Sequence, residues 1–344
     1  MQNMPKKRYM LTIKIIYCNM ENIKHYFAGI NSKDGFVNNF NNINTTKNGI
    51  TYILKGGPGT GKSTLMKKVG MFFATRGEQV DFFHCSSDVN SLDGIFLPSH
   101  GVAIVDGTAP HIIEATMPAI KENLINLGEY INQNVQKNSK KVEKLLENKK
   151  KHYNLAYMFL KCAGTLFDAN EQLGDADTKE TTENLLQSLD LKTSKQYKKR
   201  ELFLTAVDTK IISLLSKNKY SKILCLNLSQ KANHIVFAEL ANYAEKNNIS
   251  HTLLKEVLNT SFIEAIEFND INLLIYSCPT TINKEALKNQ KTINLLTFQA
   301  GSHIEKARKI HKKVEKIYIK HTNFEKISQI TEDLIFLIQK QKAS

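Results

Sequence analysis

With 344 residues and 42% hydrophobic side chains, the chain has apolar mass for two packed cores, which excludes a disordered polymer or a disulfide-stapled miniprotein. Its +14 charge is nearly all lysine, with arginine only at Arg8, Arg76, Arg200 and Arg308, so the guanidinium forks that nucleic-acid readers rely on are scarce and nucleic acid is the weakest partner reading. No run approaches the roughly eighteen apolar residues of a membrane span, and Cys18, Cys85, Cys162, Cys225 and Cys278 form no C-x-x-C pair, so the expectation is a cytoplasmic protein with five reduced thiols and no zinc site.

Residues 1–19 carry Lys6-Lys7-Arg8 and an apolar stretch broken by Lys14; they read as a loose arm or a misplaced start, outside the fold. A first domain is expected over 20–170. Tyr26 to Phe36 is a short apolar piece ending in the turn Asp34-Gly35, and Asn38 to Asn48 is a polar approach.

Thr51-Tyr52-Ile53-Leu54 then reads as a strand leading into Gly56-Gly57-Pro58-Gly59-Thr60-Gly61-Lys62-Ser63-Thr64, a complete G-x-x-x-x-G-K-[ST]. Inward-turned backbone N–H groups and the N-terminus of the following helix make a concave anion site, and the glycines let the backbone approach phosphate without a Cβ in the way. In this reading Lys62 lies along the β- and γ-phosphates, Ser63 holds Mg²⁺, and Leu65, Met66 and Val69 pack the helix on a sheet. The cofactors implied are ATP and Mg²⁺; adenine is favoured because no N-K-x-D-type guanine signature appears.

Arg76-Gly77 closes the helix, Gln79 to His84 reads as a strand, and Cys85 to Gly94 as a polar loop. Gly101-Val102-Ala103-Ile104-Val105-Asp106 is a buried parallel strand with an acid at its carboxyl end, a Walker-B-like pattern. Ligands of open α/β sheets bind beyond the carboxyl ends of strands, so Asp88, Asp93 and Asp106 are the carboxylate candidates. Asp106 is assigned to the metal with Ser63; Lys62, Asp106 and Asp88 form the expected catalytic set, with Asp88 or Asp93 positioning water or a second substrate. Gly107, not glutamate, follows Asp106, and the nearest downstream glutamate is Glu114. The base therefore comes from elsewhere, hydrolysis is slow, or the phosphoryl acceptor is not water.

Beyond Pro118 the chain reads as helical, with Val142, Leu145, Leu146, Tyr153, Ala156, Tyr157 and Leu160 at a 3.6-residue period among solvated lysines. Residues 171–198 are the expected linker, and 199–344 the second domain. Motifs recur at an offset of about 170: Ile53-Leu54 against Ile223-Leu224, Val102 to Val105 against Asn272 to Ile275, Tyr26-Phe27-Ala28-Gly29 against Leu202-Phe203-Leu204-Thr205, and Lys140-Lys141-Val142-Glu143-Lys144 repeated as Lys312 to Lys316. The second copy lacks the loop, since no glycine lies between Gly174 and Gly301, and Tyr276 is aligned with Asp106. Ser302 with Glu305 reads as the cap of one final helix whose apolar stripe runs from Ile304 to Ile338.

The segments Tyr26 to Gly29, Ile53 to Lys68, His84 to Asp88 and Val105 to His111 resemble a little-characterised family of bacterial P-loop ATPase-like proteins built from two tandem P-loop halves. The resemblance covers most of the chain from about residue 20, weakly in the second half. It implies nucleotide binding at Gly56 to Thr64 and importance for the His84–Asp88 and Asp106–His111 segments, but no substrate. The expected fold is α/β: a P-loop NTPase parallel sheet flanked by helices, a long helical insertion, and a second degenerate P-loop-like half. The expected function is Mg²⁺-dependent ATP binding and hydrolysis at one site, the second half acting as a regulatory or docking lobe for a protein partner. The alternatives are a small-molecule or nucleotide kinase, with Arg76 or Arg200 as the charge-neutralising arginine, and a nucleic-acid-associated ATP-dependent switch.

Overall fold

In the computed structural model, residues 22–44, 46, 48–170, 178–208, 211–278 and 284–341 are described. The first half contains β1 (Ile23–Tyr26), the hairpin β2 (Gly29–Ser32) and β3 (Gly35–Asn38), β4 (Ile50–Lys55), α1 (Lys62–Ala74), β5 (Val80–Cys85), β6 (Asp88–Leu97), β7 (Val102–Asp106) and β8 (Glu122–Asn126). They form a six-stranded sheet in the order β1-β5-β6-β7-β4-β8. The chain continues through α2 (Ser139–Asn170) and α3 (Thr178–Ser188).

The sheet is mixed, not all parallel: β6 runs antiparallel to both β5 and β7. Only Ser86 and Ser87 separate the paired Cys85 and Asp88, and a two-residue connection can join antiparallel strands but not parallel ones. The expected polar loop Cys85–Gly94 is therefore largely strand, with its polar residues on the less buried end of a hairpin. The helical reading beyond Pro118 fails locally, because Glu122–Asn126 pairs with β4 as an edge strand.

The second half holds β9 (Lys199–Leu202), the hairpin β10 (Thr205–Val207) and β11 (Ile211–Ser213), β12 (Lys222–Leu226), α4 (Gln230–Lys246), β13 (His251–Lys255), β14 (Ile263–Phe268), β15 (Leu273–Ser277), α5 (Lys284–Ile319) and α6 (Phe324–Gln341). Its sheet, β12-β15-β14-β13-β9, repeats the order and strand directions of β4-β7-β6-β5-β1. The register corrects the sequence alignment. Gly107 N–H donates to the Leu54 carbonyl and Cys278 N–H to that of Leu226, so Leu226 answers to Leu54 and Ser277, not Tyr276, to Asp106. Ile53-Leu54 thus matches Cys225-Leu226, two residues beyond the expected pair.

Cys225, on β12, and Cys278, just past neighbouring β15, are brought side by side as a disulfide pair with Cα atoms 5.8 Å apart, a proximity that the expectation of five separate thiols did not include. Their separation of 53 residues concealed a contact that only strand pairing creates. Cys85 and Cys162 are free, and Cys18 lies outside the described residues.

The halves are interleaved. Phe27 and Phe203 pair just after β1 and β9, and α2 lies antiparallel to α5, with Lys149 beside His311 and His152 beside His303. Ala156, Leu160 and Ala163 of α2 share one core with Ala300 and Ile304 of α5. The final helices cross over. Leu185 of α3, inside the stretch read as a linker, is buried with Val236 and Leu240 of α4, whereas Ile327, Leu334 and Ile338 of α6 are buried with Leu65, Met66 and Phe73 of α1. Each such buried aliphatic side chain contributes about 1.5–3 kcal/mol. The single final helix expected from Ser302 is instead two: α5 runs straight through Ser302, and α6 restarts where Asn323 Oδ1 accepts the Lys326 N–H. Among the described residues no helix is long and apolar enough to cross a membrane.

Candidate functional site

The glycine loop joins β4 to α1 beside the end of β7. Gly59 and Gly61 hold φ of 75° and 91°, in the left-handed region that favours glycine, and Gly61 is the residue preceding the helix. Thr60 is buried and its hydroxyl donates to the Gly57 carbonyl at 2.8 Å, closing the loop on itself. Thr64 faces solvent.

Lys62, on the first turn of α1, is folded back over the loop. Its Nζ donates to the carbonyls of Gly56 (2.8 Å) and Gly57 (3.0 Å) and stands 3.7 Å from Asp106 Oδ2. The other oxygen of Asp106 accepts the Thr108 N–H and hydroxyl. Ser63 Oγ accepts the Leu92 N–H at 2.9 Å, tying the start of the buried part of β6 to the same helix turn. Lys62, Ser63 and Asp106 are therefore brought together.

Asp88 is not part of that group. Its Oδ1 accepts the Asn90 N–H, a local turn bond, and its Oδ2 lies 3.8 Å from Lys312 of α5. Asp93 instead occupies the inner position. Asp93 is the bulged residue of β6, skipped where Phe83 faces Gly94 and His84 faces Leu92. Asp93 is buried, its Oδ2 is 3.2 Å from His111 Nε2, and the Cys85 thiol is hydrogen-bonded to it. Burial pushes its carboxyl up to about 6; His111 opposes the shift and Asp106 adds to it. His111 is the residue that sequence reasoning left without a role. Its backbone N–H donates to the Thr108 carbonyl, and its ring is packed by Phe36 and Phe40 at 5.0 and 4.8 Å.

Glu114 turns outward to Lys55, whose amine also holds the carbonyls of Gly107 and Ile113. His84 sits in the seam between strands, 2.8 Å from His25 and 2.6 Å from the Val89 carbonyl, as a strand residue and not a base. Neither expected arginine reaches the loop. Arg76 stacks on Phe72 at the far end of α1, and Arg200 is buried against Asp81 at 2.6 Å.

The outer wall of the loop comes from the second half. A Cβ on Gly57 would lie 2.8 Å from the Tyr318 ring, and one on Gly59 2.8 Å from the Glu315 carbonyl oxygen; Gly61 faces Phe324 and Ile327. Burial and Asp88 push the Glu315 carboxyl up; burial, Lys149 and Lys62 bring His311 down to about 4. Lys149 is held against His311 while Lys140, Lys141, Lys144, Lys150 and Lys151 face solvent. Where α5 turns into α6, a cleft of about 550 Å³ opens between Tyr130-Ile131-Asn132 and His321-Thr322-Asn323. Reciprocal backbone bonds, Asn132 N–H to His321 O and Asn323 N–H to Tyr130 O, fix its floor.

The corresponding place in the second half is filled by protein. Ser229 caps α4, and the Asn233 amide donates to the carbonyls of Leu226 and Leu228 and to Oγ of Ser277, the residue that answers to Asp106. No protein-family model matches the chain, and no curated protein or solved structure matches it either.

Proposed function

We propose that the chain is a P-loop nucleotide-binding protein that takes ATP with Mg²⁺ at Gly56–Thr64 and hydrolyses it at that single site. One observation carries the reading: the Lys62 amine donates to the loop carbonyls of Gly56 and Gly57 and stands 3.7 Å from Asp106, so a triphosphate entering the cradle would meet a cation already over the loop. Loop N–H groups and the α1 N-terminus supply the remaining positive field. Ser63 and Asp106 offer the hard oxygen donors that Mg²⁺ prefers, and the ion would supply charge neutralisation on the phosphates. The nucleoside end would extend toward the cleft between Tyr130 and Asn323.

The second half is, in this reading, a degenerate copy whose own anion site is closed by Asn233 and Ser277 and whose helices α5 and α6 wall the active loop. The likeness to the tandem P-loop family agrees with it. The test is phosphate release by the full chain with Mg²⁺ and ATP or GTP, beside Lys62→Ala; release that needs Mg²⁺ and Lys62 supports the reading. Transfer to a hydroxyl acceptor is the second reading, favoured by Gly107 beside Asp106 and by the outward Glu114. It predicts that a nucleoside or sugar accelerates ADP release.

A further inference from the structure

We propose that Lys149 of α2 is the second cation of the phosphate site, reaching the terminal phosphate of a bound nucleoside triphosphate and so setting triphosphate apart from diphosphate. The inference deepens the triphosphate reading above and rests on it. Helix α5 runs along the site and gives it a direction. The turn at its C-terminal end, His321-Thr322-Asn323, borders the cleft toward which the nucleoside would extend. Next come Tyr318 and Glu315, which press on Gly57 and Gly59. Further back, Lys312 faces Asp88, and Arg308 stands 3.5 Å from the Ser87 carbonyl at the tip of the β5–β6 hairpin. Phosphates running from the cleft across the loop would therefore end nearest the turn of α5 that carries His311. Lys149 Nζ is 3.1 Å from Nδ1 of that histidine.

Among Arg308, Lys312 and Lys149, which face this end from α5 and α2, only Lys149 is not matched by an acid. Arg308 is paired with Glu305 and Asp208, and Lys312 lies 3.8 Å from Asp88, whereas Lys149 makes no ion pair among the described residues. Its partner is the His311 imidazole, which burial, Lys149 and Lys62 bring down to about 4, so the ring is neutral and Nδ1 accepts the ammonium proton. His311 Nε2 stands 3.6 Å from Glu315 Oε1, one turn nearer the loop. Lys62 and Lys149 thus bear on one imidazole, Lys62 buried and Lys149 half-buried. Like charges converging away from water repel, and a polyanion between them turns that repulsion into attraction.

The neighbouring Lys144, Lys150 and Lys151 face solvent, so the general charge of α2 does not account for an inward lysine. In the free chain the Lys149 ammonium rests on His311. With a triphosphate in the loop it would pass to the γ-phosphate oxygens, forming charge-assisted hydrogen bonds, while Lys62 lies along the β- and γ-phosphates. A diphosphate carries no group at that place, and Lys149 keeps its imidazole partner.

The experiment titrates the full chain with MgATP and with MgADP, wild type beside Lys149→Met and Lys149→Arg, with thermal unfolding of each. Lys149→Met keeps the apolar stem and is expected to lose about tenfold or more in MgATP affinity while MgADP affinity stays within about threefold. Lys149→Arg keeps the charge and is expected to lose less. Should Lys149→Met unfold, Lys149→Gln replaces it, because its amide can still donate to His311. MgATP affinity within about threefold of wild type in the neutral variant overturns the proposal. Equal losses for MgATP and MgADP overturn it as well, since they mark a structural role, and so does a wild type that holds the two nucleotides equally. Absence of binding of either nucleotide by the folded wild type is a different result: it removes the triphosphate reading, and this proposal with it.

Discussion

Phe27 and Phe203 exchange both backbone hydrogen bonds, N–H to O at 2.8 Å one way and 3.0 Å the other, and both are fully buried. Each follows the edge strand of its own sheet, so this reciprocal pair marks the local two-fold relation between the halves. With α6 packed on α1 and α3 on α4, neither half encloses its own core. The chain is expected to unfold in one cooperative transition, and Phe27→Ala to cost about 3–5 kcal/mol of global stability. Two separate transitions in urea, with Phe27→Ala lowering only the first, would contradict this interleaving.

The seam also contains a buried ion pair, Arg200 of β9 on Asp81 of β5, 7% and 1% exposed. Removing one partner leaves an uncompensated buried charge, so Asp81→Ala is expected to cost about 3–5 kcal/mol. The paired replacement Asp81→Leu with Arg200→Met removes both charges and is expected to cost much less. Urea unfolding of the three variants checks this; equal losses in the single and double variants would refute it.

Stability should also fall in mild acid. Burial, aided by Lys217, lowers His25 to about 4, and burial lowers His84 to about 4 as well, with His25 and Lys217 contributing. Unfolded histidines titrate near 6.5. Between those values the unfolded chain binds more protons than the folded one, so this stability is fully present above about 6.5 and is lost as pH falls toward 4. The urea midpoint of wild type should drop between pH 7.5 and 5, and His25→Gln with His84→Gln should reduce that drop. A double variant with an unaltered drop would remove these two from the account.

Gly59 tests the wall. At φ 75°, with the Glu315 carbonyl 2.8 Å from where a Cβ would stand, Gly59→Ala meets both backbone strain of roughly 1–2 kcal/mol and a neighbour that is itself main chain. Lower thermal stability and weakened MgATP binding are expected together. Unchanged values for both would mean that α5 does not press on the loop.

Much of the core around the loop was legible because its signals are local. Glycine spacing and the apolar runs at Thr51–Leu54 and Val102–Asp106 place β4, α1 and β7 without knowledge of partners. The rest depends on contacts distant in sequence. β6 was hidden because Asp88–Ser91 is the polar end of a hairpin, and β8 because an edge strand with Leu124 exposed lacks a buried run. Asp93 was one Asp among several until its contacts with His111 and the Cys85 thiol set it apart, and His111 gains its place only through the Thr108 turn. The repeat was visible, but its offset is 172 residues from Leu54 to Leu226 and 171 from Asp106 to Ser277, not a constant 170, and that difference misassigned Tyr276.

The most direct test of the central claim is a titration of the full chain with ATP, with and without Mg²⁺, beside Lys62→Ala. The account predicts saturable binding that Mg²⁺ strengthens and that Lys62→Ala weakens severely while the variant stays folded. ATP affinity unchanged by Lys62→Ala, or no binding by the folded wild-type chain, would contradict it.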